Sequence, residues 1–293
     1  MGKCCLANSL AGFCRIAPKQ VGITPVTIRI DPTSGVPAGE QAIPGLSPVA
    51  ILHSPFRERF GIPRQPGLVP EVPGRLVFLP PYDRPEAVAG LEAFSHVWLL
   101  FRFHATPAAG PALTVRPPRL GGNERVGVFA SRSPYRPNAI GLSVARLEAV
   151  EQTPQGPVLH LRGVDLLDGT PVLDVKPYVP YADAVPDARG GFAAPDIARL
   201  PVRFLERAEQ RLRGRPDRDE VKGVIGAVLA LDPRPGYRQG DNHSGRVLGM
   251  RLYDFDLRWR VREGVVEVLE LEPLAPPSGH AAPGCNDPLD GQT

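Results

Sequence analysis

From residue 48 onward, short apolar runs recur at Pro48–His53, Arg75–Leu79, His96–His104, Arg125–Ala130, Gly141–Val150, Pro157–Leu167 and Pro171–Val179. Gly, Pro, Asn and Asp separate them, as at Asp168–Gly169. Runs of this length bounded by turn formers predict strands. Only Pro85 to Phe94 makes a good helical window among them. A doubly wound α/β sheet needs a helix in nearly every gap, and these gaps are too short. The expectation is a mainly β fold: an antiparallel-rich, closed or partly closed β-barrel of about seven strands.

After the polar loop Asp183–Pro195 the pattern changes. Leu205–Leu212 and Asp217–Ala230 read as helices, the second stopped by Asp232–Pro233. Arg251 to Arg262 then alternates, with Phe255, Leu257, Trp259 and Val261 on one face and Asp254, Asp256, Arg258, Arg260 and Arg262 on the other. That is the period of one half-buried strand. Glu263–Gly264 turns it into Val265–Leu271, where Glu267 and Glu270 can pair across to the arginines. The predicted organisation is a poorly ordered extension over 1–45, a barrel over 46–190, a small α+β domain over 196–274 and a flexible tail over 275–293.

Composition narrows the class. A chain of 293 residues, 42% hydrophobic, can bury a substantial core. Its formal net charge of +3 announces no polybasic tail. Cysteines stand only at 4, 5, 14 and 285, which is neither a disulfide framework nor a zinc spacing, and a cytoplasmic setting is the simplest reading. No stretch approaches the ~18 apolar residues of a membrane span. The histidines (53, 96, 104, 160, 243, 280) show no metal spacing, so no metal is expected. G-x-G-x-x-G before a helix, the P-loop signature and G-x-S-x-G are all absent from the sequence.

Arginine carries most of the positive charge, and five arginines fall between Arg116 and Leu142. Guanidinium forks grip carboxylates and phosphates in bidentate fashion. Pro134 and Pro137 stiffen the turn holding Arg132, Arg136 and Asn138, so the segment reads as a preformed anion-binding surface, or else as a salt-bridged surface loop. Other polar clusters fall at strand ends: the rigid turn with Arg64 and Gln65, His104 after Phe103, and Asp165 to Asp168 at a hairpin end. Loops at one barrel rim converge, so these clusters can line one cleft. Spacing alone stops at a small anionic ligand on a β scaffold.

Long words in the chain carry a resemblance. SPFRERFGIPRQPGLV (54–69), GLEAFSHVWLLFRFH (90–104), TVRPPRLGGNERVGVFASRSPYRPNAIGLS (114–143), DLLDGTPVLDVKPYVPYAD (165–183), LALDPRPGYRQG (229–240) and YDFDLRWRV (253–261) resemble the TsaA-like family of TrmO-type tRNA (adenine-N6)-methyltransferases. The resemblance implies S-adenosylmethionine-dependent N6-methylation of threonylcarbamoyladenosine at tRNA position 37. It also implies a homodimer with the donor near the subunit junction. Carried over by motif, the donor contacts are Pro63, Arg64, Gln65, His104, Ala105, Arg132, Leu142, Asp165, Leu166, Leu167 and Asp168. His104 and Asp168 are the titratable groups expected to act in catalysis. Arg116, Arg119, Arg136, Arg234, Tyr237 and Arg238 are the expected tRNA contacts. Two positions depart from the pattern. Ala105 stands where a Gln is expected, leaving only a backbone contact there, and Pro134–Tyr135 replaces Thr–Phe. The alternatives are a barrel that binds the donor or RNA without chemistry, and a methyltransferase for another acceptor.

Overall fold

Six of the seven expected strands pair antiparallel into one closed barrel. They are β1 (Ala50–His53), β2 (Pro73–Phe78), β3 (His96–Arg102), β6 (Ile140–Thr153), β7 (Gly156–Arg162) and β8 (Thr170–Pro177). Their order around the barrel is β1-β2-β7-β6-β3-β8, closed by the β1–β8 pair in which Ala50 faces Val172. The computed structural model describes residues 46–106, 112–117, 120, 124–193, 198–234 and 245–274. The expected N-terminal extension and tail, with Arg119, Tyr237 and Arg238, lie outside the described residues.

Alternation does the sorting. Leu52, Leu76, Val97, Leu99, Ala145, Leu159, Leu161 and Val172 are buried and fill the interior, while most of their sequence neighbours are more exposed. A barrel this narrow is closed by side chains and has no lumen. The seventh run departs from expectation. Only Val126–Gly127 (β5) is strand, paired outside the barrel with Thr114–Val115 (β4), and Val128–Ala130 is a 3-10 turn. Val128 is its one buried member, so the run lacks the alternation needed to enter the barrel. The expected helix over 85–94 is also interrupted. Gly90, at φ +84°, separates a short helix α1 (Pro85–Val88) from a 3-10 turn.

A helix α2 (Pro180–Asp183) leads to a second sheet, ordered β10-β11-β12-β9. Its strands are β9 (Val202–Phe204), β10 (Leu248–Leu252), β11 (Phe255–Arg262) and β12 (Val265–Pro273), with helices α3 (Glu206–Leu212) and α4 (Arg218–Ala230). The stretch 251–262 is therefore a hairpin rather than one strand, because Tyr253 adopts φ +56° and reverses the chain. The apolar face was read correctly: Phe255, Leu257, Trp259 and Val261 are buried. Barrel and sheet share one continuous core.

The two halves meet at the loop after β1. Phe56 bridges to Leu252, the Tyr253 amide donates to Pro55 O at 2.7 Å, and Arg57 Nε donates to Tyr253 O at 3.0 Å. The Arg251 amide reaches Glu58 Oε1 at 3.0 Å. Gly61, at φ +86°, lies so close to Met250 that a Cβ would stand 1.9 Å from its sulfur. The C-terminal hairpin thus fixes the segment that leads into Pro63–Gln65.

Candidate functional site

Antiparallel strands alternate direction, so the ends of β1, β3 and β7 and the starts of β6 and β8 share one rim. A cavity of about 390 Å³ opens there, within the roughly 300–1,000 Å³ usual for small-molecule sites. It is lined by Pro63, Arg64 and Gln65 from the loop after β1, and by His104 and Ala105 beyond β3. Arg132 and Arg136 come from the turn before β6, Leu142 from β6, and Asp165, Leu166 and Leu167 from the loop after β7. The structure therefore brings together every expected donor contact except Asp168.

Asp168, expected from the sequence as donor contact and catalytic carboxylate, is not on the cavity wall. Its carboxylate pairs with Arg57 and accepts from the Ser54 amide at 3.1 Å, with His53 Nδ1 at 3.3 Å. Its own amide donates to Phe56 O at 3.0 Å. Four partners on one loop make it the clasp of that loop. Arg234, an expected tRNA contact, is buried. It is 7% exposed and its guanidinium takes both oxygens of Asp232 at 2.7 and 2.8 Å. Arg116 is exposed on the segment after β4.

Sequence reading missed two features that shape the site. Ser143 lies on the inward face of β6, where the alternation Gly141, Ser143, Ala145, Leu147 places a hydroxyl among apolar positions. It donates to Asp165 Oδ1 at 2.6 Å. Phe101, opposite Gly141 in the β3–β6 ladder, needs that glycine: a Cβ would stand 2.2 Å from its Cζ. A glycine inside a strand was the available signal. Phe101 packs edge-on against Phe103, ring centroids 4.9 Å apart, forming an apolar wall.

Electrostatics single out one carboxylate. Burial pushes Asp165 up to about 6, opposed by the Ser143 hydrogen bond, its own backbone amide and the charge of Arg132. Arg132 donates to Gln65 Oε1 at 2.5 Å, and Arg136 to Ser131 O at 2.7 Å. The cavity therefore offers guanidinium groups, one carboxylate whose midpoint is raised to about 6, and an aromatic wall. A zwitterionic ligand with a flat apolar part matches this donor set.

The tRNA-methyltransferase O N-terminal domain matches residues 51–184, and the TrmO C-terminal domain matches 197–274. The chain belongs to the TrmO family. It is 46% identical over 227 residues to the tRNA (adenine(37)-N6)-methyltransferase of Escherichia coli, covering 77% of this chain and 96% of that one. A Pseudomonas aeruginosa protein, provisionally described as an S-adenosylmethionine-dependent methyltransferase, is 49% identical over 229 residues, covering 77% of this chain and 96% of its own. The crystal structure of TrmO from Pseudomonas aeruginosa superposes with a TM-score of 0.63 at 44% identity, covering 77% of this chain and 97% of that chain. The two matches extend over the barrel and the C-terminal sheet, and the clasped loop after β1 lies inside the first of them.

Proposed function

We propose that the chain is an S-adenosylmethionine-dependent methyltransferase acting on N6 of adenosine 37 in tRNA, with threonylcarbamoyladenosine as its acceptor. The observation that carries this reading is the convergence of Gln65, His104, Arg132, Leu142 and Asp165, from five separate segments, on one cavity. The donor set fits the methyl donor: guanidinium groups for its carboxylate, Asp165 for its positive charge or ribose, and the Phe101–Phe103 wall for its base. Bound there, the donor supplies a methyl group already activated by its sulfonium.

The chain's task is mainly alignment, which can contribute ~7–11 kcal/mol to an in-line displacement. As the new N–C bond forms, the acceptor nitrogen must lose its proton. Asp165 and His104 are the titratable groups on the wall able to receive it. A carboxyl raised to about 6 is ionised at neutral pH yet basic enough to work as a general base. Arg64 or Arg132 holds a carboxylate, of the donor or of the acceptor's threonyl group. Arg116 and Arg136, with Arg119, Tyr237 and Arg238, are the proposed RNA contacts.

The proposed assembly is a cytoplasmic homodimer. Leu142, 53% exposed while also on the cavity wall, supports a donor site completed at a subunit junction. No described helix is long and apolar enough to cross a membrane. Transfer of labelled methyl from the donor to tRNA carrying threonylcarbamoyladenosine tests the activity, with the nucleosides weighed after digestion. The expected product gains one methyl on the modified adenosine, and unmodified tRNA stays unlabelled. Donor binding without transfer would overturn the reading in favour of a sensor.

A further inference from the structure

The cavity leaves one large aromatic side chain unexplained. Phe129 is 78% exposed, although Val128 beside it is buried. Its backbone is fixed: Val128 N donates to Leu113 O at 3.0 Å, and the amide and hydroxyl of Ser131 both reach Val128 O, at 3.2 and 2.8 Å. A pinned turn needs no phenyl ring in water, and neighbouring Leu113 is more exposed still, at 88%. The Arg136 guanidinium carbon stands 5.9 Å from the Phe129 ring centroid. The same arginine lines the cavity and is anchored on Ser131 O. The ring and the cavity mouth therefore share a residue.

The surroundings choose the occupant. Arg116, Arg125 and Arg132 are exposed on this segment, and Glu124 is the one acidic residue between 112 and 142. An aromatic face beside a planar guanidinium, within an unbalanced cationic rim, fits a base with its phosphate. We infer that Phe129 and Arg136 form a stacking platform for an unpaired nucleotide adjoining the acceptor adenosine, so that the surface takes a single-stranded RNA loop. This rests on the RNA-methyltransferase reading.

The test uses the full chain, with Phe129→Ala and Phe129→Trp compared to the parent. Stacking on one aromatic is worth ~1–3 kcal/mol per base, so Phe129→Ala should raise the KM for tRNA about tenfold or more. Donor affinity by calorimetry and sedimentation behaviour should be unchanged, and Phe129→Trp should restore the parental KM. A fluorescent anticodon stem-loop should lose affinity for the alanine variant by a similar factor. An unchanged KM, a Trp variant no better than alanine, or a changed oligomeric state overturns the platform. If the parent binds the stem-loop through Phe129 but transfers no methyl, the reaction falls and the platform stands.

Discussion

Arginines at the cavity rim and a set of arginines in the C-terminal sheet and helices live in opposite electrostatic surroundings. The C-terminal set is matched by carboxylates. Arg215 takes Asp217 and Asp254, Arg234 takes Asp232, and Arg203 and Arg260 converge on Glu267, which is 5% exposed. Those two arginines hold the Glu267 carboxyl below its ordinary range, Arg260 contributing most. Around the cavity Arg132 and Arg136 hydrogen-bond to a neutral amide and a backbone carbonyl instead. Among the described residues no carboxylate lies within ion-pairing distance of Arg116, Arg125, Arg132 or Arg136. Paired arginines consume their own charge in holding the fold, whereas arginines bonded to neutral groups are oriented with charge to spare for an anionic ligand.

The sharpest way to break that contrast is to remove one arginine from each class. Arg132→Ala should weaken donor binding by about 2 kcal/mol, roughly thirtyfold, as a charge-assisted contact is lost. Its Tm should hardly move, since the side chain is exposed. Titration calorimetry reads the affinity, and an unchanged value takes Arg132 out of the donor site. Arg260→Ala should do the reverse. Glu267 would be left with Arg203 alone in a buried setting, lowering stability by about 1–3 kcal/mol. Methyl transfer per folded molecule and donor affinity should stay as in the parent. A donor defect in Arg260→Ala would mean that the paired class also serves the site.

How much of this was legible in the sequence follows the same division. The barrel strands were readable because burial imposes a period of two, and Leu76, Leu99 or Leu159 cannot turn outward without exposing a whole face. The run at Val126–Ala130 misled because apolar composition can serve a ligand as well as a core, and Phe129 faces solvent. Tyr253 hid a hairpin because αL geometry at a non-glycine residue carries no sequence mark. The three-residue β9 pairs in parallel with a strand more than 60 residues away, too short to show a pattern. At the site, the word Asp165-Leu-Leu-Asp168 offers two equivalent carboxylates at one hairpin end. Which of them faces the cavity is decided by Arg57, far away in sequence, which claims Asp168. Arg234 could have been read as internal, since Asp232 two residues earlier is within its reach.

The finest probe of the site's electrostatics is Ser143→Ala. Asp165 sits near 6 because burial outweighs three opposing influences, of which the Ser143 hydrogen bond is the largest. If Asp165 accepts the acceptor's proton, the transfer rate should rise with pH through about 6 and then level off. Deleting a hydrogen bond of about 1 kcal/mol should move that limb upward by somewhat under one pH unit. The rate should then fall a few-fold near pH 6 and match the parent above pH 8. Stability runs the opposite way with pH. The native state holds its proton to higher pH than the unfolded chain, so between the ordinary aspartate value of 3.8 and about 6 it binds more protons. Folding stability therefore declines as pH rises through that window, and the variant should decline further over a wider one. An acid limb that stays in place while stability shifts would leave Asp165 as a buried wall residue and pass the proton to His104.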